Sequence, residues 1–194
     1  MRSPICVVIG HVDHGKSSIL DYVRGTNIVA KEAGAITQAI GASIIPVNVL
    51  QKMCGDLLKD KALSVPGLLF IDTPGHAAFT SLRERGGSLA DIAILVIDAN
   101  EGIKPQTQEA IKILREQKTP FVIAANKIDL FTGFTSNPKQ SVLQSITPIA
   151  HNLDTKIYEI VGHMHEQGFQ SERFDRVEDY TKQIGIIPVS AKEG

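Results

Sequence analysis

Short aliphatic runs alternate along the chain with longer stretches of helical period. The runs Pro4–Ile9, Ala42–Val47, Gly67–Ile71, Ile92–Asp98, Pro120–Ala125 and Ile184–Val189 are mostly continuous in hydrophobicity, as expected of strands buried on both faces. Ser17–Arg24 follows the first run directly as a helix candidate. Pro105–Glu116 sets Ala110, Ile111 and Leu114 at helical spacing behind a first-turn proline. Asp154–Glu166 gathers Ile157, Ile160, Val161 and Met164 on one face, and Arg176–Gln183 is a shorter, polar helix candidate. The alternation predicts an α/β fold with a mostly parallel central sheet and helices on both faces. Two segments read as additions to it. Pro46–Pro66 holds a short amphipathic stretch between prolines, and Phe131–Asn152, rich in Thr, Ser, Gln and Pro, reads as loop. Counted up to the last aliphatic run, the second addition covers about residues 131–183.

Composition narrows the class. The 194 residues suit one domain, and 43% hydrophobic with 21% charged residues is ordinary for a globular protein. No apolar run approaches the roughly 20 residues of a membrane span, and the start lacks a signal-peptide pattern. Two cysteines, Cys6 and Cys54, give no disulfide framework, and Cys6 in its apolar run is expected to be a buried, inert thiol. The expectation is a cytoplasmic protein without a membrane contact. A net charge of −1 confines any RNA contact to a small patch or to parts outside this chain.

Gly10-His-Val-Asp-His-Gly15-Lys16-Ser17 fits the P-loop pattern between a predicted strand and a predicted helix. Its glycines let successive N–H groups turn toward phosphates, and the helix N-terminus adds its dipole. Lys16 supplies a charge to the β- and γ-phosphates, and the Ser17 hydroxyl can ligate Mg²⁺. Asp13, His14, Gly15, Lys16, Ser17 and Ser18 are thus the candidate phosphate-site residues. His11 and His14 offer two metal ligands without an obvious third, so packing or hydrogen bonding near the nucleotide is the stronger reading. Asp13 has two readings: its carboxylate meets a cation beside the phosphates, or it accepts from N–H groups of its own loop.

Two further motifs address the γ-phosphate. In Asp72-Thr-Pro-Gly75-His76, the acidic residue at a strand end can hold Mg²⁺ through water, and Gly75 can bring its N–H to the γ-phosphate. His76 is the candidate catalytic residue, orienting the attacking water. Gly34–Gly41 reads as a hinged loop whose Thr37 hydroxyl closes on Mg²⁺. No arginine is evidently placed to complete the site in cis, which predicts slow intrinsic turnover.

The base is addressed by Asn126-Lys127-Ile128-Asp129 after the fifth run. Asp129 can accept from N1–H and the N2 amine of guanine, a donor pair adenine lacks, and such a buried polar group can discriminate by about 10⁴-fold. Asn126 bonds loop and base edge, and the Lys127 stem covers the ring. Ser190, Ala191 and Lys192, after the last run, complete the base pocket.

In this order these residues resemble the G domain of a translational GTPase, a P-loop NTPase, and unlike Ras-type proteins the chain carries His after Gly75. Lys31–Gly41, the run from Gly75 to Gly86 and Pro105-Gln-Thr-Gln-Glu-Ala look like the initiation factor 2/initiation factor 5B family. The insertion 48–67 and the segment from Leu153 to Arg176 favour its archaeal/eukaryotic branch. The resemblance covers essentially the whole chain.

It implies GTP or GDP with Mg²⁺, ribosome-stimulated GTP hydrolysis, promotion of ribosomal subunit joining and support of initiator tRNA binding, in a monomeric protein. It further implies that ribosomal RNA near the switch loops pushes His76 into place, with Val12 and Ile36 as an apolar gate. Arg83 and Arg85 have two readings, an RNA-facing patch or a solvated helix face. A monovalent cation, Na⁺ or K⁺, beside Asp13 and near Ala35 is compatible with the class, although the family usually carries Gly at position 35. The resemblance also implies that a final helix and downstream β-barrel and tRNA-binding domains follow in longer members. The alternatives are another translational GTPase such as an elongation factor, a switching module that barely hydrolyses, and an ATP-binding P-loop domain.

Overall fold

The structure, a computed structural model, describes residues 2–25, 41–54, 64–72, 90–137 and 141–193. Seven strands form one sheet: β1 (Ile5–Gly10), β2 (Gly41–Pro46), β3 (Gly67–Asp72), β4 (Ile92–Asp98), β5 (Phe121–Asn126), β6 (Gln170–Arg173) and β7 (Gln183–Pro188). The helices are α1 (Lys16–Arg24), α2 (Val47–Cys54), α3 (Pro105–Gln117), α4 (Val142–Ile146) and α5 (Ala150–Glu166). The strand order is β2-β3-β1-β4-β5-β7-β6. β2 runs antiparallel to β3, and every other pairing is parallel.

The continuous aliphatic runs serve two faces at once. In β1, Val7 and Ile9 join the core with Ala110, Ile111 and Leu114 of α3 and with Leu153, Ile157, Ile160 and Met164 of α5. Cys6 and Val8 face the opposite way, toward Leu20 of α1 and Leu50 of α2. The strand period of two thus splits one run between two helical layers. Cys6 is buried, and burial pushes its thiol up to about 12, the inert state its strand setting predicts. Among the described residues no helix is long and apolar enough to cross a membrane.

Two local expectations are corrected, and one strand is unannounced in the sequence. Phe131–Asn152 is not loop throughout: it contains α4, a 3₁₀ turn over Thr147–Ile149 and the start of α5. The signal was a capping box. The Ser141 hydroxyl accepts from the Gln144 amide at 3.3 Å, and the Gln144 side chain accepts from the Ser141 amide at 3.0 Å. Arg176–Gln183 is not a helix. The Asp179 carboxylate takes the Thr181 amide and hydroxyl at 2.9 and 2.6 Å, and turn chemistry of this kind competes with helix hydrogen bonding. Lastly, the four-residue edge strand β6 is mostly polar and has no aliphatic run to announce it.

Because β1, β3, β4, β5 and β7 run parallel, their C-terminal ends open on one edge of the sheet. Gly10, Asp72, Asp98, Asn126 and the segment after Pro188 therefore share that edge. The connection leaving β1 leads to β2 and β3 on one side of it, and the connection leaving β3 crosses to β4 on the other, so the strand order reverses there. Open parallel sheets bind ligands at such a point.

Candidate functional site

The phosphate loop is fastened to the sheet by its glycines and by Asn126. A Cβ on Gly10 would run into the Val96 carbonyl of β4, and one on Gly15 into the Asn126 side-chain nitrogen. Gly15 also has φ +89°, a left-handed conformation that suits glycine. It is the N-cap of α1, so the first-turn amides of that helix open toward the loop. Lys16 is buried, and its ammonium donates to the His11 carbonyl at 2.7 Å, folding the side chain along the loop. Ser17 and Ser18 occupy the first turn of α1.

His14 points inward. Its side chain is 1% exposed, and its Nδ1 accepts from the Asp98 amide at 3.1 Å, which puts the ring proton on Nε2. Burial, aided by neighbouring His11, lowers its pKa to about 4 against the pull of Asp98, the Val96 carbonyl and Glu101. The two histidine rings meet edge to face at 5.0 Å, and no group of three metal-ligating side chains occurs among the described residues. The pair packs and hydrogen-bonds. Asp13 is exposed, with φ +62°. Among the described residues no hydrogen bond to its carboxylate occurs, so acceptance from its own loop is not realised there.

The base-side motifs converge on the same loop. Asn126 is buried; its side-chain nitrogen donates to the His14 carbonyl at 2.9 Å and its oxygen accepts from the Ala191 amide at 3.1 Å. Lys127 has φ +68° and reaches Asp98 at 2.8 Å. Burial pushes the Asp98 carboxyl up, but the Lys127 hydrogen bond, the amides of Asn100 and Glu101 and the Lys127 charge outweigh it, so its pKa is lowered. Ser190 donates to Asp129 at 2.7 Å and itself accepts from the Glu193 amide at 3.1 Å. Lys192 extends into solvent beside Glu193.

Gly15, Ser18, Asn126, Lys127, Asp129, Ala191 and Lys192 line one cleft of about 790 Å³. Backbone N–H groups at a helix N-terminus and a positioned carboxylate in one cleft, with the Lys16 ammonium on the adjoining phosphate loop, suit an anionic ligand carrying a donor-rich ring. A family model described as the elongation factor Tu GTP binding domain matches residues 1–194. The chain belongs to that family.

Similar proteins refine the membership. This GTP-binding domain is 56% identical over 200 residues to the "Probable translation initiation factor IF-2" of Methanobrevibacter smithii, covering 100% of the chain and 34% of that protein. Its identity to the protein of the same name from Methanothrix thermoacetophila is 57% over 198 residues, covering 100% and 33%. The crystal structure of GDP-bound aIF5B from Aeropyrum pernix superposes with a TM-score of 0.84 at 52% identity, covering 100% of this chain and 33% of that one. A bacterial selenocysteine-specific elongation factor, EF-Sec, shares the fold, with a TM-score of 0.58 at 21% identity, covering 98% and 26%. The chain spans about a third of the length of the curated relatives it matches.

Of the other sequence-derived candidates, Asp72 ends β3 beside Val8 of β1. Thr37, Gly75 and His76, with Ala35, Ile36, Arg83 and Arg85, lie outside the described residues. The domain also uses residues that no sequence motif marks. Asp98 is the buried strand-end acid that holds Lys127, and Asp21, Tyr22 and Leu130 line the cleft. The sign of Asp98 was its place at the C-terminal end of a parallel strand.

Proposed function

We propose that the chain is the GTP-binding and GTP-hydrolysing domain of a translation initiation factor. The observation that carries this reading is the Asp129 carboxylate, held by Ser190 in the cleft that begins at Gly15 and the phosphate loop. Asp129 reads N1–H and the N2 amine of guanine. Asn126, Lys127, Ser190, Ala191 and Lys192 complete the base pocket, and Gly15, Lys16 and Ser18, with the main chain of His14, serve the phosphates.

The described donors fit Mg²⁺ chemistry: Ser17 offers a hard hydroxyl oxygen on the first turn of α1, next to the phosphate loop. Thr37 and, through water, Asp72 are the further ligands in this reading. Asp13, with no internal partner among the described residues, is the group for a monovalent cation, Na⁺ or K⁺. The metal supplies charge neutralisation at the phosphates. Lys16 adds its own charge, Gly75 offers its N–H to the γ-phosphate, and His76 orients the water. Such a site works by positioning and electrostatics, so a partner that completes it controls the rate.

That partner, on the strength of the initiation-factor relatives, is the ribosome. Subunit joining and initiator tRNA binding belong to the longer protein of which this is the nucleotide-driven part. Multiple-turnover phosphate release tests the reading. Slow turnover alone, stimulated by ribosomes and reduced by His76→Ala, is expected; turnover indifferent to ribosomes contradicts it.

A further inference from the structure

A closed ring of contacts joins the two halves of the cleft. The His14 carbonyl accepts from the Asn126 side chain at 2.9 Å, while the His14 imidazole accepts from the Asp98 amide at 3.1 Å. The Asp98 carboxylate holds the Lys127 ammonium at 2.8 Å, and Lys127 follows Asn126 directly, which closes the ring. The Ala99 amide donates to the Asn126 carbonyl at 2.8 Å, and the Asn100 side chain donates to the Lys127 carbonyl at 3.4 Å. The end of β4 is therefore a bridge, gripped on one side by His14 and gripping Lys127 on the other.

We propose that His14 is a positioning residue that couples the phosphate loop to the base pocket, acting through Asp98 on Lys127. Its ring is 1% exposed and aims at β4, so its side chain serves the protein interior while its backbone stays in the phosphate loop. The position calls for a buried neutral acceptor. An aliphatic side chain of similar size leaves the Asp98 amide buried and unbonded, which frees the end of β4 to shift and carries Asp98 away from Lys127. An asparagine offers its side-chain oxygen at the same remove from the backbone as Nδ1, and keeps the bond. Lys127 in turn lies along the cleft with φ +68°, a strained setting for a non-glycine residue that its neighbours must maintain. A movement of the phosphate loop is thereby transmitted to the group that covers the base.

This rests on the guanine-nucleotide reading of the cleft. The test is a double-mutant cycle on the dissociation of fluorescent GDP, with His14→Leu, His14→Asn, Lys127→Met and the pair His14→Leu/Lys127→Met. His14→Leu is expected to speed dissociation about 10-fold, the scale of a lost buried hydrogen bond, and His14→Asn by no more than about 2-fold, within the usual additivity error. With Lys127→Met already present, His14→Leu should add less than about 3-fold. Multiplying effects, or an asparagine variant as fast as the leucine one, overturn the coupling while leaving the site reading intact. If His14→Leu does not fold, His14→Asn in both backgrounds still decides: a large effect that multiplies with Lys127→Met overturns the proposal, and near-normal dissociation supports it. Failure of the unsubstituted chain to bind GDP overturns the site reading and the coupling together.

Discussion

The Ser190 hydroxyl donates to the Asp129 carboxylate at 2.7 Å across 61 positions of sequence. The bond ties the loop after β7 to the loop after β5 and fixes the orientation of the acid. Asp129→Asn replaces part of an acceptor with a donor, opposite the donors of guanine. GDP affinity should fall by about 100-fold or more, and xanthosine diphosphate, with an oxygen in place of the amine, should gain. Competitive binding of the two nucleotides measures this. An unchanged ratio shows that Asp129 does not read the base.

Gly15→Ala tests the junction between the loop and β5. The new Cβ collides with the Asn126 side chain at a backbone angle that disfavours any residue but glycine. Asn126 then loses its bond to the His14 carbonyl. A destabilisation of about 1–3 kcal/mol and at least a 10-fold loss of GDP affinity are expected. Chemical denaturation and equilibrium binding report the two effects separately.

Much of this junction is legible in the sequence, for a physical reason. Phosphate cradles and base pockets need particular groups at strand ends, so Gly15, Lys16, Asn126, Asp129 and Ser190 stand out in sequence; Gly15, Asn126 and Asp129 line one cleft, and Ser190 bonds Asp129. The buried strands are legible because Val, Ile and Ala runs bounded by turns admit few other readings. The place of Asp98 at a strand end is legible, but its task of holding Lys127 is a contact that no local pattern encodes. The polar strand β6 and the turns after it are hidden for a similar reason: they are held by pairing with β7 and by Arg173 reaching Asp154 and Asp175, not by periodicity.

That cluster gives a third prediction. The Arg173 side chain is 9% exposed, forks to both oxygens of Asp175 at 2.6 and 2.7 Å, and also bonds Asp154, which Arg176 shares. The hydrogen bond from Arg173 holds Asp175 below the ordinary carboxylate range, burial opposing it. Arg173→Met leaves Asp175 without its hydrogen-bonded counter-charge and Asp154 with Arg176 alone, and should cost about 3 kcal/mol. The cluster lies at the β6 edge, with β7 between it and β5, so GDP affinity should stay within about 2-fold. Thermal melting beside nucleotide binding distinguishes this from damage to the site.

His14 makes stability depend on pH. An unfolded imidazole titrates near 6.5, whereas burial lowers this one to about 4. Between those values the unfolded chain takes up a proton that the native state refuses. The contribution is complete above about pH 6.5 and is lost as pH falls toward 4. Nucleotide-free protein should show this loss in denaturation midpoints, and His14→Asn should show a shallower one. Parallel curves would mean that His14 does not titrate in that window.

The guanine-nucleotide site itself is tested most directly by equilibrium binding of GDP and ADP to the unsubstituted chain under identical conditions with Mg²⁺ present. The site predicts that GDP binds more tightly by at least about 10³-fold, since ADP leaves the Asp129 carboxylate without its donors. Equal affinity for the two nucleotides, or no measurable binding of GDP, would contradict it.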